Sequence, residues 1–411
     1  MVLIKLLVLT TTFPLWEGDS TPAFVYELSK RLVIEGFDTY VLAPHCEGAK
    51  KFEVLDGIKI YRFPYFFPTK YQRLVDGAGI LPNLKKSNLA KIQLPFLFLS
   101  QLYYSMKIIK REDIDVVHSH WIVSNGLVGA ICKKVFGIKH VLTEHAAGLV
   151  ALNKFPFKHS LAGFILSNCD GISVVSSHVY DRLLEFVHPR VLNDTKRKLE
   201  IIPMGVNTNQ FKVNKDKNEL KAKYNIKSEN VLLFIGRLAE KKGVVYLIKA
   251  LPSIISKVPS TTLIICGNGP LKDECENLTK KVGMNDFIKF TGYITEEEKV
   301  DYLSMTDLLI VPSIVTDDGD TEGLPVVILE GLSMGKPIIA SDVGGIKDVI
   351  KDRINGFLIE PKNSIMIAET VSELISNKEL MLQFSKFSLK TAEEYDWNTI
   401  GKKYYLHLNI L

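Results

Sequence analysis

Short runs rich in Val, Ile and Leu alternate along this chain with stretches whose apolar positions recur every three or four residues. In the first half the runs are 2–10, 38–44, 58–63, 114–120, 139–145, 171–177 and 199–205. Between most of them lie helical patterns such as "TPAFVYELSKRLVIEG" (21–36). Period-two and continuous apolar runs read as strands, and a period near 3.6 reads as helix. Alternation of the two predicts a parallel, doubly wound sheet of the α/β class. The polar, Lys- and Asn-rich segment "NTNQFKVNKDKNELKAKYNIKSEN" (207–230) reads as a linker. After it the pattern restarts, with runs at 231–237, 261–267, 287–292, 307–313, 337–341 and 356–360. The expected organisation is therefore a first domain over 1–206, the linker 207–230, a second domain over 231–395, and a segment 396–411 that returns as a helix to the first domain. Two open α/β sheets facing one another imply a cleft lined by the C-terminal ends of their strands.

The length of 411 residues agrees with two domains, since single cores stop growing well before that size. Hydrophobic residues make up 46% and charged residues 24%, which fits a soluble globular chain. Five cysteines without a CxxC spacing read as reduced structural thiols of a cytoplasmic protein. The start "MVLIKLLVLTTTFPLW" reads as a first buried strand, because Lys5 interrupts the apolar run and no small-residue cleavage site follows. No run reaches the ~20 apolar residues that span a bilayer.

The net charge of +5 is uneven, with 25 Lys and Arg against 18 Asp and Glu in residues 1–205. Residues 66–110 concentrate it: Lys70, Arg73, Lys85, Lys86, Lys91, Lys107 and Lys110 stand against the single acid Asp76, around the apolar "LPFLFLSQLYY" (94–104). Cations beside apolar side chains suit the surface of an anionic membrane. A helix packed on the core with solvated lysines is the alternative. Nucleic acid is not expected as a partner, for want of a binding motif.

The chemistry concentrates in the second half. "TEGLPVVILEG" (321–331) brackets an apolar run with Glu322 and Glu330. A helix is expected to start near Gly323, with Pro325 in its first turn, where the missing N–H costs nothing. The N–H groups of Leu324, Val326 and Val327 would then face an anion such as phosphate. Each carboxylate suits a vicinal diol, so the pair fits a nucleotide sugar, with its hexose at one end and its ribose at the other. "FIGRLAEKKG" (234–243) puts Arg237 and Lys242 at a strand end, where cations offset a leaving diphosphate. Both sit in loops, so truncating either is expected to spare the fold. "CGNGP" (266–270) and "ASDVGG" (340–345) add glycine turns at strand ends.

In this order "IPMGV", "GRLAEKKG", "CGNGP", "FTGYI", "VPS", "EGLPVVILEG", "SDVGG" and "NGFLIEP" resemble the retaining glycosyltransferases of family 4. The resemblance spans the chain and implies the GT-B fold, two Rossmann-like domains, with the donor held mainly by the second. It implies that Arg237 and Lys242 clasp the diphosphate, Glu322 the donor sugar, Glu330 the ribose, and backbone near Ile294 the base. Gly236, Gly267, Leu324, Val326 and Val327 would line the same donor site. In the first half "TEHAAG" (143–148) resembles the family's T-x-H-G, which carries His145 over to the donor sugar or reacting centre. Ala146 replaces the usual glycine. The loop "TTTFPLWEGDSTP" (10–22) keeps only Gly18, expected near the diphosphate, followed by Asp19, an acceptor-side candidate. In "VHSHW" (117–121), His118 and His120 are acceptor-side candidates, with a structural, hydrogen-bonded histidine as the alternative.

Asp318 and Asp320 formally match D-x-D, a metal–nucleotide motif of another glycosyltransferase fold, but beside Glu322 they read as a solvated acidic loop. No metal or other cofactor is expected. The resulting expectation is a cytoplasmic, retaining, metal-independent enzyme, peripheral on the inner membrane face. It would move a hexose from a nucleotide-diphosphate sugar to a sugar or lipid-linked acceptor, for a cell-surface glycan. The alternatives are a sugar-nucleotide 2-epimerase or hydrolase on the same scaffold, and a non-catalytic donor-binding partner.

Overall fold

A computed structural model describes residues 3–16, 19, 23–75, 80, 83–84, 87–212 and 215–409. The chain divides into two compact units, Met1–Met204 with Ile400–Leu411, and Gly205–Thr399. Each is a doubly wound α/β unit.

The first unit carries β1 (Lys5–Leu9), β2 (Asp38–Pro44), β3 (Phe52–Leu55), β4 (Ile58–Phe63), β5 (Val116–His120), β6 (Lys139–Glu144), β7 (Gly171–Val174) and β8 (Leu199–Ile201). They form one sheet in the order β3-β4-β2-β1-β5-β6-β7-β8. Every pairing is parallel except β3 with β4. Leu6, Leu7, Val8 and Leu9 are all buried, because helices cover both faces of such a sheet and leave no polar alternation. The edge hairpin strand β3 escaped the sequence reading. It exposes Phe52 and Val54, and its turn places Asp56 and Gly57 at positive φ.

The second unit carries β9 (Asn230–Ile235), β10 (Thr261–Cys266), β11 (Ile288–Gly292), β12 (Leu308–Val311), β13 (Ile338–Ser341) and β14 (Gly356–Ile359). Its sheet, β11-β10-β9-β12-β13-β14, is parallel throughout. Segment 207–230 is not a linker but part of this unit. Phe211, Leu220 and Ile226 enter its core beside Val231 and Leu233. Asp216 caps the helix Lys217–Lys223 by accepting from the N–H groups of Asn218 and Glu219. The buried Asp301 carboxylate ties the segment down, pairing with Lys215 (2.5 Å) and Lys223 (2.7 Å) and accepting from the Tyr224 hydroxyl (2.8 Å).

The helix Trp397–Asn409 closes the chain. From Ile400 onward it belongs to the first unit, where Tyr404 is fully buried and donates to the Ile202 carbonyl at 3.1 Å. Within the second unit Val206 pairs with Asp396, and Gly205 leaves room for the Trp397 ring, 2.6 Å from where a Cβ would stand.

Helix Asn88–Glu112 has an inverted distribution of polarity. Its buried face includes Gln93, Gln101 and Ser105 beside Leu97, Ile108 and Ile109. Both glutamines are held: Gln93 donates to the Tyr71 carbonyl at 2.6 Å, and Gln101 to Asn125 at 2.7 Å. Ile92, Phe96, Leu99 and Tyr103, spaced to form one stripe, are 48–61% exposed. The stripe runs into exposed Lys107 and Lys110, and Lys91 flanks it. Lys85, Lys86 and Asp76 lie outside the described residues. Among the described residues no helix is long and apolar enough to cross a membrane.

Candidate functional site

In the second unit, the loops that leave β9, β10, β12 and β13 press backbone against backbone, and glycine permits it. A Cβ on Gly267 would stand 2.0 Å from the Gly236 carbonyl oxygen, and one on Gly243 1.8 Å from that of Pro312. A Cβ on Gly344 would meet the Glu322 carbonyl oxygen at 2.0 Å. The Lys241 carbonyl joins the same fabric, accepting from Ile314 N–H at 2.8 Å. At Gly267 the close approach is loop against loop.

This packing delivers charge. Lys242 Nζ lies 3.0 Å from Glu322 Oε1, with both side chains largely withdrawn from water. Lys241 Nζ stands 3.1 Å from Asp320 Oδ1. Burial pushes the Glu322 carboxyl up, but Lys242 and Lys241 outweigh it and hold the group below the usual carboxylate range. Burial likewise pushes Lys241 down, and Glu322 and Asp320 reverse that, so its pKa is raised, with Arg237 opposing. Arg237 itself is half-buried, two residues past β9. Lys241 was not singled out in the sequence. Its adjacency to Lys242 hid the fact that the two pair directly with different carboxylates.

The helix after β12 starts later than expected, at Val326, with Pro325 as its extended N-cap at ψ 116°. Glu322 therefore precedes the helix, and Leu324 packs against the core cluster rather than opening the first turn. Val326 and Val327 do occupy the first two helical positions, where N–H groups lack intrahelical acceptors. Glu330 is buried within the helix, its Oε1 3.0 Å from Lys299 Nζ, and Lys299 also pairs with Glu296 at 2.7 Å. Burial raises the Glu330 pKa, and Lys299 lowers it only in part. Lys299 was missed. The Thr295–Glu298 capping box would have placed it in the first turn of helix Glu296–Met305. Ile294 is half-buried between β11 and that helix, packed on the core, and the neighbouring Tyr293 is exposed.

Asp318 and Asp320 lie in a tight turn. Thr316 Oγ1 donates to Asp318 Oδ1 at 2.8 Å and accepts from Asp320 N–H at 3.0 Å. Asp320 is spoken for by Lys241, and among the described residues no three His, Cys, Asp or Glu side chains gather to hold a metal ion.

In the first unit, His145 follows β6, stacks on His120 (5.1 Å) and lies tilted against Phe24 (5.0 Å) and Trp121 (4.8 Å). Exclusion from water pushes its pKa down to about 3, so the ring is neutral. Ala146 takes the strained φ +87°, ψ −49° that a glycine would take freely. His118 and His120, the acceptor-side candidates, are both fully buried in β5. His118 Nε2 pairs with Thr143 Oγ1 at 2.7 Å, and His120 Nδ1 with His145 Nε2 at 2.9 Å. Burial pushes His118 down to about 3 and His120 well below the ordinary value. Asp19 accepts from Leu15 N–H at 2.9 Å and so closes its own loop, while Gly18 lies outside the described residues.

Residues 216–391 match the profile "Glycosyl transferases group 1", and residues 22–210 match "Glycosyltransferase Family 4". The chain belongs to the group 1 glycosyltransferases. This glycosyltransferase is 26% identical over 375 residues to an uncharacterized glycosyltransferase of Methanocaldococcus jannaschii, covering 88% of this chain and 92% of that one. It is 25% identical over 302 residues (72% of this chain, 76% of the other) to the GDP-mannose-dependent alpha-(1-6)-phosphatidylinositol monomannoside mannosyltransferase of Mycobacterium tuberculosis. Its fold is that of sucrose-phosphate synthase from Thermosynechococcus elongatus, with TM-score 0.75, 19% identity, and 98% and 97% of the two chains covered. The glycosyltransferase thus has the GT-B fold, with two Rossmann-like parallel-sheet domains.

Proposed function

We propose that this glycosyltransferase moves a hexose, with retention and without a metal, from a nucleotide-diphosphate sugar to a sugar or lipid-linked acceptor in cell-surface glycan synthesis. The observation that carries the reading is the charge cluster of Arg237, Lys241, Lys242 and Glu322 at loops that converge beyond β9 and β12. In this reading Lys242 and Arg237 face the diphosphate, and the Val326 and Val327 N–H groups add their dipoles. Glu322, kept ionised by its lysines, holds donor-sugar hydroxyls. Glu330 holds the ribose and exchanges part of its pairing with Lys299 for those hydroxyls, and backbone near Ile294 meets the base. His145 is a contact to the donor sugar or the reacting centre. Catalysis is electrostatic: fixed cations stabilise the departing diphosphate while the sugar passes through an oxocarbenium-like state. Dependence of the mycobacterial relative on GDP-mannose supports the donor class.

The exposed stripe Ile92, Phe96, Leu99 and Tyr103, ending in Lys107 and Lys110, supports peripheral contact with an anionic membrane on its cytoplasmic side. A lipid-linked acceptor would be met there.

The test is a panel of nucleotide sugars screened by thermal stabilisation, followed by transfer assays with the anomeric configuration of the product read by NMR. A true donor at about 100 times its Kd adds roughly 2.7 kcal/mol. A panel without a stabilising member, or a product of inverted configuration, refutes the reading.

A further inference from the structure

A set of buried hydrogen bonds surrounds His145. β5 and β6 are parallel neighbours with His120 opposite Thr143, so the turns that follow the two strands lie side by side. Both turns are strained, with Trp121 at φ +67°, Ser124 at +62° and Ala146 at +87°. One fully buried carboxylate joins them. Glu144 Oε2 accepts from Ile122 N–H at 2.7 Å, and its Oε1 accepts from the N–H groups of His145 and Gly148, each at 3.0 Å. Gly148 is needed for this, because a Cβ there would stand 2.2 Å from Glu144 Oε2. The carboxylate thus ties the backbone of His145 to the neighbouring turn.

The ring of His145 is set separately. His120 Nδ1 and His145 Nε2 share one hydrogen bond, and among the described residues His120 Nε2 is buried without a partner. A neutral imidazole has one N–H and one lone pair, and an orphaned buried N–H is rarer than an orphaned acceptor. The proton of His120 therefore sits on Nδ1 and is donated to His145 Nε2. That obliges His145 to carry its own proton on Nδ1.

We propose that Glu144 and His120 are positioning residues for His145: Glu144 fixes its backbone turn, and His120 holds its ring as the Nδ1–H tautomer, which offers a ligand oxygen a hydrogen-bond donor and not a base. The proposal rests on the reading that His145 contacts the donor sugar or the reacting centre, and the ligand atom it implies is a hydroxyl or phosphoryl oxygen.

The full-length protein, labelled with 15N-histidine, gives long-range ring spectra in which His145 is assigned by its loss in His145→Gln. Wild type is expected to show a protonated Nδ1 and a hydrogen-bond-accepting Nε2 at His145. His120→Leu removes the donor, and the pattern then moves to the other tautomer or a mixture, with kcat falling about tenfold, the worth of one hydrogen bond, at unchanged donor KM. His120→Asn puts an amide donor where Nδ1 was and restores both the spectrum and the rate. Glu144→Gln, which cannot accept at both oxygens, raises amide exchange of residues 145–150 and lowers kcat. A wild-type ring pattern in His120→Leu, or a wild type with the proton on Nε2, overturns the proposal. Should His145→Gln transfer sugar at the wild-type rate, the functional reading of His145 falls, while the ring spectra still decide what His120 does.

Discussion

Lys242→Ala is expected to damage the fold as well as the reaction, contrary to what its place in a loop suggests. Lys242 is the direct partner of Glu322, at 3.0 Å, and neither side chain is more than one-fifth exposed. Removing one member of a buried pair leaves a desolvated charge, at a cost of about 3–5 kcal/mol. Lys241 also acts on Glu322 and survives the substitution, which places the expected loss near the lower end, about 3 kcal/mol. The pH dependence follows from the sign of the shift. In the wild type Glu322 is held below its ordinary pKa, so its ionisation adds stability that is present above the unfolded value and lost as pH falls through the folded one. Without Lys242, burial dominates and the folded pKa rises above the unfolded value. Ionisation then costs stability at neutral pH, and the deficit shrinks as the carboxyl protonates on acidification. Hydrogen exchange read by mass spectrometry over β9 and Val326–Ser333 reports opening of the second unit directly. Protection lost at pH 8, largely regained at pH 5, and regained at pH 8 in Lys242→Ala/Glu322→Gln is the expected pattern, with transfer abolished in both variants. A deficit independent of pH, or one that Glu322→Gln fails to relieve, would refute the pairing as the source of the cost.

Arg237→Ala should cut turnover about a hundredfold, the loss of one charge contact to a leaving group; near-normal turnover in a transfer assay would remove it from the diphosphate. Dialysis against EDTA should leave transfer intact, and activity lost and then restored by manganese or magnesium would promote Asp318 and Asp320 to metal ligands. Vesicle co-sedimentation should rise with anionic lipid and fall with salt, each cation near the surface contributing roughly 1 kcal/mol. Lys91, Lys107 and Lys110 changed to Glu should weaken that binding, and so should Phe96→Ser with Leu99→Ser. Binding indifferent to both sets would leave the stripe as ordinary surface.

The central strands were legible because a sheet covered on both faces writes itself as unbroken apolar runs, as in Leu6–Leu9 or Leu308–Val311. Strand β3 was not, since an edge hairpin needs little apolar pattern. Segment 207–230 read as a linker because its lysines and asparagines outnumber the three apolar residues, Phe211, Leu220 and Ile226, that enter the core. Pro325 suits either the first helical position or the cap, and only its ψ distinguishes them. Arg237, Lys242, Glu322 and Glu330 could be picked out as a set, yet their internal pairing could not. Lys242 lies 80 residues from Glu322 in the sequence, and Lys299 lies 31 from Glu330, distances over which no local pattern speaks. His118 and His120 looked like site residues because they stand at a strand end. Their burial depends on what the neighbouring strands and Tyr404 place over them.

The closing helix bears on how the chain is made. Tyr404 fills the interior of the first unit, His407 lies 3.3 Å from Glu200 beside β8, and Gly401 admits the Arg31 stem. All three are synthesised only after the whole second unit, whose two ends are stitched together by the pairing of Val206 with Asp396. During translation the second unit can therefore complete its sheet and close on itself before the first can seal its core. A nascent first unit must wait, with the place of Tyr404 empty, while roughly two hundred residues leave the ribosome at about 5–20 per second. The second unit is in effect an inserted module, and the earlier-made half of the protein is the later one to mature.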